Sequence, residues 1–253
     1  MLRKDIARPA TQGTADPAEI ARFDAVAEEW WKPDGAFKLV HDFNGVRLAH
    51  LTGRLAALFQ LDPASTLPLA GLRIIDVGCG AGLVAEPLSH LGAEVTGIDA
   101  TARNIAVAER HARAVGASVR YRLALPEELV EQAGAFDAVV CLEVVEHVAD
   151  LPAFLSALAR LVAPGGFLVI GTINRTLRSF LKAIVGVEYV MRWLPRGTHD
   201  WRKFVTPREL DLGLRRYGFE VVERQGIALN PLSMKFVLSV DDSATYIQVH
   251  RRS

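Results

Sequence analysis

The stretch LRIIDVGCGAGLVAEPLSHLGAEVTGIDA, residues 72–100, joins two short apolar runs through a glycine-rich turn and a helical segment. Arg73 to Val77 has the near-continuous apolar pattern of a strand buried on both faces in a parallel sheet. Asp76 lies near its end, and Gly78, Gly80 and Gly82 follow at alternate positions. Glycines there permit positive φ and let a ligand approach the backbone. Leu83 to Leu91 turns to helical spacing, so the glycine turn opens onto a helix N-terminus. The second run, Glu94 to Ile98, ends in Asp99, 21 positions after Gly78. That is close to the spacing at which a carboxylate beyond the second strand meets ribose hydroxyls.

Several kinds of nucleotide use such a unit, and the details separate them. The dinucleotide fingerprint calls for a small residue three places after its second glycine, where this chain has Leu83. No Gly-Lys-Ser/Thr follows, which excludes the phosphate loop of NTPases. Asp76 ahead of Gly78-Cys79-Gly80-Ala81-Gly82 resembles the signature of class I methyltransferases that use S-adenosylmethionine. That resemblance implies a cofactor-binding role for Asp76, Gly78, Gly80 and Gly82 beside the amino-acid part of the ligand, and for Asp99 at the ribose. The plain alternative is an ordinary tight turn of an α/β domain.

The length of 253 residues suits one large domain, or one with additions. Half the residues are apolar and 23% are charged, an ordinary globular balance. Formal net charge is zero, so no global field argues for nucleic acid, and none is expected as a partner. Cys79 and Cys141 have neither CxxC nor zinc spacing, which fits a reducing compartment. The N-terminus, with Arg3, Lys4, Asp5 and Arg8, has no apolar signal-peptide core. No run of about 20 uncharged apolar residues is present, so a cytoplasmic location is expected.

Residues 1–15, small and polar with Pro9 and Gly13, read as a disordered tail, and 16–253 as a single domain. At Asp16-Pro17-Ala18-Glu19 a helix begins, with Asp16 as N-cap, Pro17 in the first turn and Glu19 closing a capping box. Trp30 and Trp31 either pack on the core or form a lid over a hydrophobic ligand. Phe37 to Leu58 is a second helical region. In it Arg47 is either a solvated charge or a guanidinium for an anionic group. Residues 16–62 together make an N-terminal helical cap. Beyond Asp99 a helix spans Thr101 to Val115, followed by a strand from Val119 to Leu123, with Ala124-Leu125 where adenine would be lined. A short helix over Glu127 to Gln132 precedes a strand from Phe136 to Leu142. A helix from Ala153 to Leu161 then leads to a strand from Phe167 to Thr172. Thr206-Pro207-Arg208-Glu209 caps a helix running to Tyr217. Phe219 to Arg224, Lys235 to Ser239 and Tyr246 to Arg251 read as strands, the last two paired as an antiparallel edge. This alternation implies an α/β, doubly wound, mostly parallel sheet with ligands beyond the carboxyl ends of its strands.

Two segments carry further chemistry. In a helical Glu143-Val144-Val145-Glu146-His147, the side chains of Glu143, Glu146 and His147 share a face. They could then hold a divalent cation with open positions, magnesium by its oxygen preference or zinc by its tolerance of histidine. The alternative is a first helical turn whose acids favour the dipole. The insertion over 174–203 has an apolar face of Leu177, Phe180, Leu181, Ile184, Val187 and Met191. It is flanked by Arg175, Arg178, Lys182, Arg192, Arg196, Arg202 and Lys203. That pattern suits a membrane interface, or a helix that covers a pocket.

FDAVAEEWW, NGVRL, DVGCGAG, CLEVVEHV, GTINRT, VGVEYVMRWLPRGTHDW, KFVTPREL and PLSMKF with DDSATYIQ resemble, over about Asp16 to His250, the bacterial ubiquinone-biosynthesis O-methyltransferases. The resemblance implies a seven-stranded Rossmann-like sheet with N-terminal helices and an amphipathic helical insertion. It implies S-adenosylmethionine as cofactor and methylation of phenolic hydroxyls in 2-polyprenyl-6-hydroxyphenol and 3-demethylubiquinol. It implies Arg47, Gly78, Asp99 and Leu142 against S-adenosylmethionine, and Glu143, Glu146 and His147 against a metal. The implied partners are a polyprenylated phenol or quinol, an anionic membrane surface and other ubiquinone-biosynthesis enzymes, with the protein peripheral at the inner face of the bacterial plasma membrane. The chain departs from its relatives at Gly45, where proline is common; this leaves Arg47 in place and loosens its loop. A phenol titrates near about pH 10, so the oxygen must lose its proton. Either a chelated cation lowers that pKa or His147 acts as general base. Other readings are a methyltransferase for a different small phenol, a non-catalytic lipid-surface scaffold, and a dehydrogenase, against which Leu83 argues.

Overall fold

Eight strands form one sheet in this computed structural model, which describes residues 13–32, 37–129, 131, 133–176, 179, 200–230 and 232–253. They are β1 (Arg73–Val77), β2 (Glu94–Asp99), β3 (Val119–Leu123), β4 (Phe136–Leu142), β5 (Val162–Ile173), β6 (Phe219–Asn230), β7 (Lys235–Ser239) and β8 (Thr245–Arg252). The helices are α1 (Pro17–Val26), α2 (Lys38–Leu58), α3 (Ala85–His90), α4 (Ala102–Val115), α5 (Leu151–Leu161) and α6 (Pro207–Arg215). Strand order is β3-β2-β1-β4-β5-β8-β6-β7, with β1 to β5 mutually parallel and β8 antiparallel to both neighbours. The doubly wound, mostly parallel reading therefore holds, with eight strands in place of seven.

Period-2 alternation divides the core. Ile75, Val77, Val139, Cys141, Leu168 and Ile170 pack with Leu155 and Leu158 of α5 and Leu210 and Leu214 of α6. Ile74, Ala138, Val140 and Val169 pack on the other face with Leu51 and Leu55 of α2 and Leu88 of α3. Strands covered on both faces read as unbroken apolar runs. Order reverses between β1 and β4, so the crevice beyond their carboxyl ends is the topological switch point.

Two expectations change here. The runs at Lys235 and Tyr246 do not pair with each other: β7 pairs with β6, while β8 lies between β5 and β6. Burial explains the choice, because Tyr246 to His250 are all buried whereas Val237 and Leu238 are exposed and tolerate an edge. The second concerns the tail, of which residues 1–12 lie outside the described residues. Thr14 is buried, its hydroxyl donating to Glu127 at 3.0 Å and its carbonyl accepting from the Ala149 amide at 2.9 Å. Residues 13–15 are thus anchored by long-range hydrogen bonds. Most of the 174–203 insertion also lies outside the described residues.

Candidate active site

A cavity of about 280 Å³ opens at the switch point. Its walls include Asp76, Gly78, Gly80, Asp99, Leu125, Leu142, Glu143, Glu146 and His147, together with Arg47 and Trp30 from the N-terminal helices. The glycine turn is held by its backbone: the amides of Gly78 and Cys79 both donate to Ile98 O, at 2.8 and 2.9 Å. Gly78 and Gly82 have φ of 75° and 93°, in the left-handed region that glycine enters without steric cost.

Asp99 at the end of β2 is fixed from three sides. Gly80 N donates to Oδ2 at 3.0 Å; Thr101 N and Asn104 Nδ2 donate to Oδ1 at 2.8 and 3.2 Å. Burial raises its pKa against those hydrogen bonds. Trp30 Nε1 donates to Asn104 Oδ1 at 3.1 Å, and Trp31 Nε1 to Ala81 O at 2.9 Å. Trp31 also stacks on His111 with centroids 3.5 Å apart. The tryptophans thus clamp the N-terminal segment onto the glycine turn, and Trp30 roofs the cavity.

Asp76 is buried, and its Oδ2 has no hydrogen-bond partner. Burial, then the Asp99 charge, push its pKa up to about 7 against the pull of Arg47. A carboxyl whose folded pKa lies above its unfolded value costs stability as pH rises between the two. Asp76→Asn is therefore expected to raise the Tm of the ligand-free protein by several degrees at pH 7 and to make little difference near pH 4. Thermal melts across that range, paired with titration of a cationic ligand, check it.

Arg47 is buried on the α2 face. It donates to Asn44 Oδ1 from Nε at 3.0 Å and from Nη2, and to Glu143 Oε1 from Nη1 at 2.9 Å. Gly45 and Arg47 belong to α2, as the helical reading of Phe37 to Leu58 expects, so Gly45 lies in a helix and not in a loop.

The segment 143–147 corrects the expected helix. Glu143 N continues the ladder to Gly171 O at 2.8 Å, and Glu143 then turns left-handed, with φ 56°. That conformation ends regular structure in a non-glycine residue, and only a tight turn follows, His147 N donating to Val144 O. Each of the three side chains takes a partner of its own. Glu143 meets Arg47; Glu146 Oε2 accepts from Thr172 Oγ1 at 2.8 Å; His147 Nδ1 meets Glu19 Oε2 at 3.1 Å. Among the described residues no group of three such side chains is arranged to hold a metal ion. The set Glu143, Glu146 and His147 does not fit a cation in this arrangement. Burial and the Glu146 carboxylate push the Glu143 pKa up, opposed by Arg47.

A family model for a methyltransferase domain matches residues 46–224. A ubiquinone biosynthesis O-methyltransferase of Cereibacter sphaeroides (strain ATCC 17029) is 49% identical over 238 residues, which cover 94% of this chain and 96% of that protein. The chain belongs to the ubiquinone-biosynthesis O-methyltransferase family. A relative of the same description from Rhizobium leguminosarum bv. trifolii is 45% identical over 242 residues, 96% of each chain. Among solved structures, magnesium protoporphyrin IX methyltransferase from Synechocystis PCC 6803, with bound SAH, superposes with a TM-score of 0.63 at 20% identity. That likeness covers 92% of this chain and 94% of the other, and is one of fold. The chain is a methyltransferase of the S-adenosylmethionine-dependent kind.

Several residues of the methyltransferase site were not legible beforehand. Asn44, Asn104 and Thr172 hold Arg47, Asp99 and Glu146 in place. Lys203, expected on a basic membrane face, turns inward to Asp16 and Glu19, at 3.5 and 2.7 Å. Arg175, from the same basic group, pairs with Glu209. Although burial alone would raise the Glu19 pKa, hydrogen bonds from His147 and Lys203 hold it at about 2. Asn44 three places before Arg47 is a helix-face spacing that a sequence search could have used.

Proposed function

We propose that this cavity binds S-adenosylmethionine and presents its methyl group to a phenolic oxygen of polyprenyl catechol-type acceptors, 2-polyprenyl-6-hydroxyphenol and 3-demethylubiquinol. The observation that carries the reading is that the glycine turn, two acids at strand ends and His147 line one cavity. The residues suit the cofactor. The unpaired Oδ2 of Asp76 offers an acceptor to an ammonium group, the carboxylate of Asp99 on the cavity wall offers acceptors to ribose hydroxyls, and Ala124 and Leu125 line an apolar wall for a base. Arg47 supplies a fixed positive charge for a carboxylate. S-adenosylmethionine supplies an electrophilic methyl group on a sulfonium.

The chain's own contribution is at the acceptor. His147 Nδ1 is engaged by Glu19, so Nε2 is the nitrogen offered to the acceptor. Nε2 accepts the phenol proton as the oxygen forms its bond to the methyl carbon and the carbon–sulfur bond breaks. Trp30, Phe37 and Phe23 narrow the mouth and exclude water. Transfer of labelled methyl from S-adenosylmethionine to a short-tailed polyprenyl catechol tests the reading. Transfer unaffected by chelator supports His147 as base. Loss with chelator and recovery with magnesium or zinc would show that residues 143–147 rearrange around an ion. No transfer, with cofactor still bound, would overturn the acceptor assignment.

A polyprenyl tail resides in the bilayer, so the enzyme meets its substrate there. No helix among the described residues is long and apolar enough to cross a membrane. Peripheral contact at the inner face of the plasma membrane through the 174–203 insertion is supported by its basic amphipathic sequence. Replacing Arg178 and Lys182 together by Glu is expected to weaken binding to anionic liposomes by about tenfold or more, since each basic residue near such a surface is worth about 1 kcal/mol. Sedimentation with vesicles measures this, and unchanged binding would remove the insertion as anchor.

A further inference from the structure

Glu86 stands in the first turn of α3, the helix that follows the glycine turn, and is buried. Its amide donates to Gly82 O at 3.0 Å, and its Oε2 meets Nδ1 of His111, on α4, at 2.7 Å. A buried carboxylate costs desolvation that an apolar pair of similar size would not, so packing of α3 against α4 does not by itself call for one. What the pair holds is the imidazole ring. The His111 ring lies flat on Trp31, with centroids 3.5 Å apart and planes 3° from parallel. Trp31 Nε1 in turn donates to Ala81 O at 2.9 Å, inside the glycine turn. The Trp30 ring lies over the preceding glycine, where a Cβ on Gly80 would be 3.3 Å from it, and its Nε1 donates to Asn104, which holds Asp99. From the other side, a Cβ on Gly82 would meet the Tyr121 hydroxyl and, at 3.0 Å, Glu86 Oε1. The turn is thus gripped between the N-terminal segment and α3, and Glu86, His111 and Trp31 connect the two.

We infer that Trp31, seated by His111 and Glu86, is a positioning residue for the cofactor. It fixes the glycine turn at Ala81 and carries the neighbouring Trp30 over the cavity, and so sets how long S-adenosylmethionine stays bound. Trp31, His111 and Glu86 stand outside the cavity walls, so they act through the residues they hold. The inference rests on the cavity being the cofactor site.

The test measures S-adenosylmethionine affinity by calorimetry, its dissociation rate by stopped flow, kcat, KM for the cofactor and Tm. The variants are Trp31→Phe, Trp31→Ala, His111→Ala and the double variant Trp31→Ala with His111→Ala. Trp31→Ala is expected to raise Kd, KM and the dissociation rate together by about tenfold, since a neutral hydrogen bond or a ring pair is each worth a factor of about 2 to 10. At saturating cofactor kcat falls far less. His111→Ala gives a smaller loss of the same kind and adds none once Trp31 is alanine. Trp31→Phe, which keeps the stack and lacks the N–H, falls between native and Trp31→Ala. Native affinity and dissociation rate in Trp31→Ala would overturn the inference. So would a loss from His111→Ala that is equal in both backgrounds and follows Tm. A separate result would overturn the cofactor site beneath it: Asp99→Ala binding S-adenosylmethionine as tightly as the native protein does.

Discussion

His147→Ala is expected to lower kcat by about 10²- to 10⁴-fold, the usual contribution of a positioned general base. Cofactor affinity should stay near native, because the amino-acid and ribose ends of the cavity are built from other residues. Asp76 lies on β1 with the glycine turn directly after it, and Asp99 is held by Gly80, Thr101 and Asn104. Calorimetric titration with S-adenosylmethionine and single-turnover methyl transfer separate the two effects. The size follows from the acceptor: a phenol near about pH 10 is almost wholly protonated at neutrality. A loss of binding equal to the loss of rate would place His147 in the cofactor site instead.

Gly78→Ala combines two faults. Its φ is 75°, and a Cβ there would lie 2.4 Å from Val144 Cγ2. The left-handed conformation costs a non-glycine residue about 1–2 kcal/mol, and overpacking adds about 1–3 kcal/mol. The contact matters because Val144 belongs to the turn that places Glu143 and His147. Displacing it shifts both walls of the cavity, so cofactor affinity and kcat are expected to fall together, with Tm lower by several degrees. Gly116→Ala is the control. Its φ is 73°, but nothing lies within 4 Å of the added Cβ. That variant should lose some stability and keep native activity. Equal activity in the two variants would show that the Val144 contact does not govern the site.

The parts legible in the sequence were those that repeat locally. Strands β1, β2 and β4 announced themselves as unbroken apolar runs because both sheet faces are covered. The glycine turn and Asp99 were legible because a tight strand–turn–helix must place its glycines and its next carboxylate at nearly fixed intervals. Glu143, Glu146 and His147 misled. Their spacing suits a helix, but the left-handed Glu143 is set by the ladder to β5 and by Val144 packing beneath Gly78, and neither neighbour lies nearby in sequence. Glu19 misled in the same way, since its local motif is that of a capping box.

By itself the sequence determined the α/β alternation, the place of the ligand crevice and, through its motifs, the family. These follow from periodicity and short-range spacing, which survive in any chain that buries those residues. Tertiary structure alone decided which strand took the edge, where Lys203 and Arg175 turned, and that His147 faces Glu19. Each of those outcomes is a contest among side chains far apart in the chain. It is settled by burial and by the need to pair buried polar groups, which come into play only once the chain has closed on itself.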